Sequence, residues 1–181
     1  MLECYGPDEE ERAGINTVHG APGLNWMLGS RFSQPIATPI KITLDADRGV
    51  MLPMFNAGIL LFSDELIGAL HEGGVDNLDC YDTELLNPLM GELFTNYKAV
   101  NIIGVVAAAD LSKSTYQAHG RPMVDVDFDS LTIDPDRTNG LLMFRLAECV
   151  SGIVVHESVK SHVEQRGIKH LDWIEPANWV G

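Results

Sequence analysis

The apolar and polar positions of this chain follow one pattern twice, about 94 residues apart. In each copy a short apolar run precedes a polar segment that ends in glycine, and a second apolar stretch follows. The copies occupy residues 58–79 and 152–172, within longer units at about 58–85 and 152–176. Because a repeated spacing constrains architecture, we predict two equivalent strand-helix-strand units in one pseudo-symmetric domain.

Local signals favour a helix in the middle of each copy. In the first copy Ser63 is placed to cap the helix, and the glycine pair that ends at Gly74 is placed to stop it. In the second copy Val159 and Val163 lie four residues apart on one helical face, and Gly167 precedes the next apolar stretch. Both copies therefore predict a short helix with one buried face.

The remaining segments have the periodicity of strands. Residues 97–109 are apolar and rich in β-branched side chains, with Gly104 as an interruption, whereas residues 124–128 alternate strictly. Further strands are predicted at Ile40–Leu44 and residues 141–146. We therefore predict an α+β fold, a single compact domain whose two pseudo-repeated units are joined by additional, mostly antiparallel strands.

Proline and glycine break the pattern before residue 40. We expect residues 1–49 to form an irregular N-terminal region packed on the body, with Trp26 and Met27 pointing inward. Residues 50–181 then form the main domain, since no low-complexity linker divides them.

Charge is the strongest bulk property of this 181-residue chain, which carries a formal net charge of -14 from 26 acidic and 12 basic residues. Phosphate neutralisation needs clustered Lys and Arg, so the composition argues against direct nucleic-acid binding. A basic protein partner fits the charge, although acidity also serves solubility alone.

Other composition signals concern location and chemistry. Three widely spaced cysteines, Cys4, Cys80 and Cys149, fit a reducing compartment, and we expect the last two to be buried. The chain has no signal-peptide pattern and no apolar run long enough to span a membrane, so we expect a cytoplasmic protein. The histidine spacings and the lack of phosphate-loop or nucleophile-elbow motifs predict no metal, no cofactor and no catalytic residue.

Three aspartates at alternate positions, Asp125, Asp127 and Asp129, are the sharpest local feature. A calcium loop would need glycine and glutamate where this chain has Ser130 and Asp136. On a strand the three carboxylates share one face at a spacing of about 6.6 Å. That face is either simply solvated or a binding surface for a basic partner.

A second acidic surface is predicted in the first unit, where no Lys or Arg occurs between residues 58 and 85. Its candidate binding residues are Asp64, Glu65, Asp79 and Asp82. The alternative is again a solvated helix and loop.

The C-terminal third resembles the closing segment of immunity-protein family eleven of bacterial polymorphic toxin systems. Phe144-Arg145-Leu146 is its most specific block, followed by residues 152–160 and 166–168, and weaker likeness extends upstream to about residue 50. Where such sequences usually carry Pro-Asp-Phe, this chain has Pro53-Met54-Phe55. The missing aspartate puts any role of that position in doubt.

The resemblance implies an intracellular protein that binds and neutralises a cognate toxin domain, often a nuclease, and it brings no catalytic residues. A nuclease needs a basic surface for its substrate, which an acidic protein can cover. Two other classes stay open. One is a small enzyme that uses Asp125, Asp127 or Asp129 and needs an acid of raised pKa in a cleft; the other is a structural or scaffold module.

Overall fold

The structure, a computed structural model, describes residues 1–3, 15–19, 26–44, 51–56, 59–88, 91–119 and 126–181. The strands in these ranges are β1 (Leu2–Glu3), β2 (Ile15–His19), β3 (Ile40–Leu44), β4 (Met54–Asn56), β5 (Leu60–Ser63), β6 (Leu78–Asn87), β7 (Glu92–Phe94), β8 (Tyr97–Ile102), β9 (Val105–Val106), β10 (Thr115–Ala118), β11 (Val126–Ser130), β12 (Met143–Leu146), β13 (Ile153–Val155) and β14 (Asp172–Trp173). The α-helices are α1 (Asp64–Glu72) and α2 (Glu157–Gln165), and 3-10 helices span Pro135–Arg137 and Pro176–Asn178.

Seven strands form the largest sheet, in the order β2-β3-β6-β8-β5-β4, with β7 paired to the end of β6. Strand β3 runs parallel to β6 and β9 runs parallel to β12, while the other eight strand pairs in the described ranges are antiparallel. Two helices beside these sheets in a single domain confirm the predicted α+β fold.

The two helices pack on one face of β5 and β8. Leu66 and Leu70 of α1 and Val159 and Val163 of α2 join Phe62 of β5 in one buried cluster. Helix α1 begins where the sequence predicts, because the Ser63 side chain accepts a hydrogen bond from the Leu66 N–H at 3.2 Å. Gly74, with φ +96°, lies just beyond its end.

The opposite face of the large sheet is buried by the segment before β3. Trp26 is 2% exposed and packs edge-on against Phe32 and Tyr81, with ring centroids 4.8 and 5.5 Å away. Leu61 and Leu85 belong to the same cluster. The inward position predicted for Trp26 is therefore correct.

A second sheet, β13-β12-β9, continues from the first through Gly104. This glycine has φ +127°, and a Cβ there would lie 2.8 Å from Leu141, so the turn from β8 into β9 favours glycine. Asn77 joins the two sheets, since its Nδ2 donates to the carbonyl oxygens of Ile103 at 2.6 Å and Met143 at 2.8 Å.

The predicted repeat units contain the same order of elements. A strand, a nine-residue helix and a second strand occur in each, as β5-α1-β6 and β13-α2-β14. Their sheet environments differ, because β5 and β6 lie in the large sheet, whereas β13 pairs with β12 and β14 pairs with β1. Residue 58, where the first unit was predicted to begin, lies outside the described residues. Equivalence of the two units in space stays a prediction.

The N-terminal region contributes strands to two different sheets. Strand β1 pairs with β14, and β3 lies inside the large sheet between β2 and β6. The strand at Ile40–Leu44 is as predicted, while β2 was not predicted from the sequence. The sheet therefore crosses the division that the sequence placed at residue 50.

Truncation of Phe144 tests the second core cluster. Phe144 is 2% exposed among Leu146, Val154 and Trp179, so we expect Phe144→Ala to lower the free energy of unfolding by about 3–5 kcal/mol. Urea melts measure this change. Val180→Ala, at a side chain that is 72% exposed, is the matched control, and a loss below about 1 kcal/mol for Phe144→Ala would contradict its burial.

Removal of the Asn77 amide tests the link between the sheets. Asn77→Ala leaves two carbonyl groups without their donor, so we expect a loss of about 1–3 kcal/mol in urea melts. The exposed Asn178, whose side chain has no hydrogen bond among the described contacts, provides the control Asn178→Ala. Equal stability of the two variants would show that the amide contributes nothing to the junction.

Candidate functional site

The aspartate row lies on β11 as the alternation predicts. Val126 and Phe128 are each 1% exposed, while Asp127 and Asp129 are exposed on the other face. Asp125 lies outside the residues that the structure describes. The carboxylates of Asp127 and Asp129 therefore share one solvent-facing side of a strand whose other side is fixed in the core.

Strand β10 lies beside the acidic face of β11. Gln117 lies opposite Asp127 in the antiparallel register, and His119 Nε2 is 2.6 Å from Asp127 Oδ2. Among the described residues, no Lys or Arg forms an ion pair with Asp127 or Asp129. The far edge of β11 is held by backbone hydrogen bonds to Glu148 and Gly181. Within the described part of the row, Asp127 and Asp129 thus lie on a strand hydrogen-bonded on both sides and have no Lys or Arg as an ion-pair partner.

Asp64 and Asp82 come together at a single lysine. Lys98 Nζ lies 3.4 Å from Asp64 Oδ1 and 3.2 Å from Asp82 Oδ1. Desolvation works against the charge of Lys98, but the hydrogen bond that Lys98 donates to Asp82 and the charges of both carboxylates raise its pKa overall. Sequence analysis missed Lys98, although a lone lysine inside the apolar strand Tyr97–Ile102 is the signal that could have found it.

The other predicted acids do not form one surface with this pair. Asp79 points to the opposite face of the sheet from Asp82, where its Oδ1 lies 3.8 Å from Arg31 Nε. Glu65 is exposed in the first turn of α1. The predicted second acidic surface is therefore not one continuous face. Lys98 and Arg31, from outside the first unit, also neutralise part of its charge.

The first unit also contains an acid at the end of α1 whose negative charge is compensated by nearby basic side chains. Glu72 contacts His162 of α2 and Arg166 at the C-terminal cap of that helix, with His162 Nε2 at 3.3 Å, and these hydrogen bonds hold the pKa of Glu72 below its ordinary value. This contact ties α1 to α2. Because the Glu72 carboxylate is used in this contact, it is less available to bind a partner protein.

A cavity of about 440 Å³ lies beside the start of α1. Ser63, Glu65 and Tyr97 line one side, and Lys169 and His170 from the turn after α2 line the other. The Tyr97 hydroxyl already donates to the Leu52 carbonyl at 2.9 Å, and Ser63 caps the helix. Two of the polar side chains that line this cavity are thus already used by the fold.

Two ionisable side chains, one on β12 and one just after it, are buried. Arg145 is 1% exposed and donates from Nη1 to the Val150 carbonyl at 2.8 Å, while its Nε has no hydrogen-bond partner. Glu148 is 6% exposed, and its Oε2 likewise has none. Burial raises the pKa of Glu148, although its own N–H, that of Ala109 and the charge of Arg137 oppose the shift.

The described residues contain no group of three or more His, Cys, Asp or Glu that could hold a metal ion. No helix in the described ranges is long and apolar enough to cross a membrane. Cys80 is exposed and Cys149 is half-buried, so the expected burial of Cys80 is wrong; it points away from the core on β6.

No protein-family model matches this chain, and none of the curated proteins matches it either.

The pKa of Glu148 predicts a pH dependence of stability. Because burial raises this pKa above 4.5 in the folded state, the unfolded chain ionises first as the pH rises. Stability should therefore fall above the ordinary carboxyl pKa, until the folded carboxyl has also ionised. Urea melts between about pH 4 and pH 8 should show this decline in the wild type and a flatter profile in Glu148→Gln. Identical profiles would show that Glu148 keeps an ordinary pKa when folded.

Proposed function

We propose that this chain is an immunity protein that binds and neutralises a cognate basic toxin domain in the cytoplasm. The resemblance at Phe144-Arg145-Leu146 and the strand-helix segment after it supports the toxin-neutralising role. The net charge of -14 supports the basic character of the partner. In this proposal the chain catalyses no reaction and needs no cofactor.

The distribution of cations is the observation that carries the proposal. The described ranges contain nine Lys and Arg residues, and seven of them already lie within ion-pair distance of a carboxylate. Arg145 is buried, and Lys169 lines the cavity. Exposed acids that no such cation reaches therefore remain in the described ranges, and Asp127 and Asp129 lie together among them on one face of β11.

Such a surface suits capture of a basic domain. Exposed charges increase the rate of encounter with an oppositely charged partner, because the field acts before contact. A nuclease toxin must present Lys and Arg to bind phosphate, so an acidic face that covers them also blocks the substrate. A nuclease is accordingly the toxin class that fits this surface best.

The competing enzyme hypothesis now depends on a different residue. The described carboxyl whose pKa burial raises is Glu148, just after β12, and it does not line the 440 Å³ cavity. A carboxylate-dependent reaction would need a substrate path to Glu148. Loss of an enzymatic activity in Glu148→Gln, with toxin binding absent, would favour that hypothesis.

Charge reversal tests the acidic face. Asp127→Lys/Asp129→Lys should slow association with the toxin domain by about tenfold or more and weaken its salt dependence, since rim charges act mainly on encounter. The probe is the purified C-terminal domain encoded directly upstream of this gene, and stopped-flow kinetics measure the rate. Melting temperature should change little, because exposed charges contribute little to stability.

The matched control is Glu164→Lys/Glu175→Lys, which makes the same change in net charge at two other exposed acids. If both double variants slow association equally, net charge acts without a specific face. An upstream domain that binds neither the wild type nor the variants would refute the proposed function.

A further inference from the structure

The cavity beside the start of α1 lies where the two strand-helix-strand units meet. Ser63 and Glu65 of the first unit line it together with Lys169 and His170 from the turn after α2 in the second unit. Its volume of about 440 Å³ is within the range of small-molecule sites, which is about 300–1,000 Å³. The cavity is therefore large enough for an amino acid or a dipeptide.

Two opposite charges line this cavity without an ion-pair partner. Among the exposed Lys and Arg side chains that the structure describes, Lys169 is the one with no carboxylate within ion-pair distance. Glu65 likewise has no basic group at that distance in the described ranges, so the two residues do not pair with each other. One cavity thus presents an unpaired carboxylate and an unpaired ammonium group.

The same cavity also has an apolar lining. Tyr97 is 3% exposed, and Met51, Pro53 and Ile168 are half-buried. Because the Tyr97 hydroxyl already donates to the Leu52 carbonyl at 2.9 Å, the ring is the part of Tyr97 that can contact a bound molecule. These four side chains together provide a surface for an apolar group.

The charges select the class of ligand by exclusion. An anion that contacts Lys169 would meet the carboxylate of Glu65 in the same cavity, and a cation that contacts Glu65 would meet Lys169. An uncharged molecule would remove water from both groups without replacing their hydrogen bonds, which costs free energy. A zwitterion satisfies both groups, because its ammonium donates to a carboxylate and its carboxylate accepts from an ammonium.

We propose that this cavity binds a small zwitterion with an apolar side chain, namely a free amino acid or a dipeptide. Its ammonium group contacts Glu65, its carboxylate contacts Lys169, and its apolar side chain packs on Tyr97 and Ile168. A ligand held in this way connects α1 of the first unit with the turn after α2 of the second. This ligand site is independent of toxin neutralisation, since the chain alone contains all of its residues.

Titration of the purified chain with leucine and with leucyl-leucine tests the site. NMR measurements of backbone amide shifts give the dissociation constants, and the shifts should be largest at the cavity. The N-acetyl and C-terminal amide derivatives of whichever compound binds should each bind about threefold to tenfold more weakly, because each lacks one charge-assisted contact at an exposed side chain. Tighter binding of leucine or of leucyl-leucine identifies the amino acid or the peptide as the source.

Two variants assign the contacts. Glu65→Gln should bind the free compound about threefold to tenfold more weakly and should no longer distinguish it from the N-acetyl derivative. Lys169→Met should lose the distinction between the carboxylate and the amide in the same way. Glu164→Gln and Lys41→Met are the matched controls, because they make the same charge changes at exposed residues outside the cavity. Both controls should bind as the wild type does, and melting temperatures establish that all four variants fold.

The outcomes are distinct. If neither leucine nor leucyl-leucine shifts the amides of the cavity, it is not a zwitterion site. If the free compound and its two derivatives bind equally, or if the variants bind like their controls, the charges do not select the ligand and the proposal is wrong. None of these results involves the toxin domain, so failure here leaves the proposed function as it stands.

Discussion

The length of the two α-helices decides which part of the large sheet can be buried on both sides. Each helix has nine residues and rises about 13 Å, whereas the ten-residue strand β6 extends about 33 Å. Helices of this length cover β5 and β8, and all four residues of β5 are buried as a result. They cannot also cover the far half of β6. The ion pairs at Lys98 and the exposed side chains of Asp82 and Leu86 lie beyond the part of β6 that the helix cluster reaches.

The helix ends and strand faces were predictable because their causes are local. A serine cap, a glycine stop and a period of two or four are read within a few residues, and Ser63, Val159, Val163 and the Asp127 row lie where these signals put them. Sheet order was not predictable in this way. Strand β3 pairs with β6, which lies about 40 residues later in the chain, and neither strand's sequence identifies the other as its partner. For the same reason the sequence did not show that the strands of the two units belong to different sheets.

The acidic surfaces show the same division between local and distant causes. Exposure of Asp127 and Asp129 follows from alternation on a single strand, so the sequence suffices. Compensation of Asp64, Asp79 and Asp82 depends on register and packing, which bring Lys98 and Arg31 to them from outside the unit. Counting bases along a segment therefore misjudges its charge in the folded protein. The exposed leucines of β6 and β7 escaped notice because apolar residues in a strand normally indicate core.

In the proposed complex the exposed carboxylates of β11 would act mainly before contact. They influence a partner across about a Debye length of 8–10 Å, but solvent and salt limit what they contribute once the partner is bound. Burial of apolar surface is not weakened by salt in that way. Acid density alone would give rapid capture followed by rapid loss, so slow release of a toxin requires apolar contacts in addition to the charges.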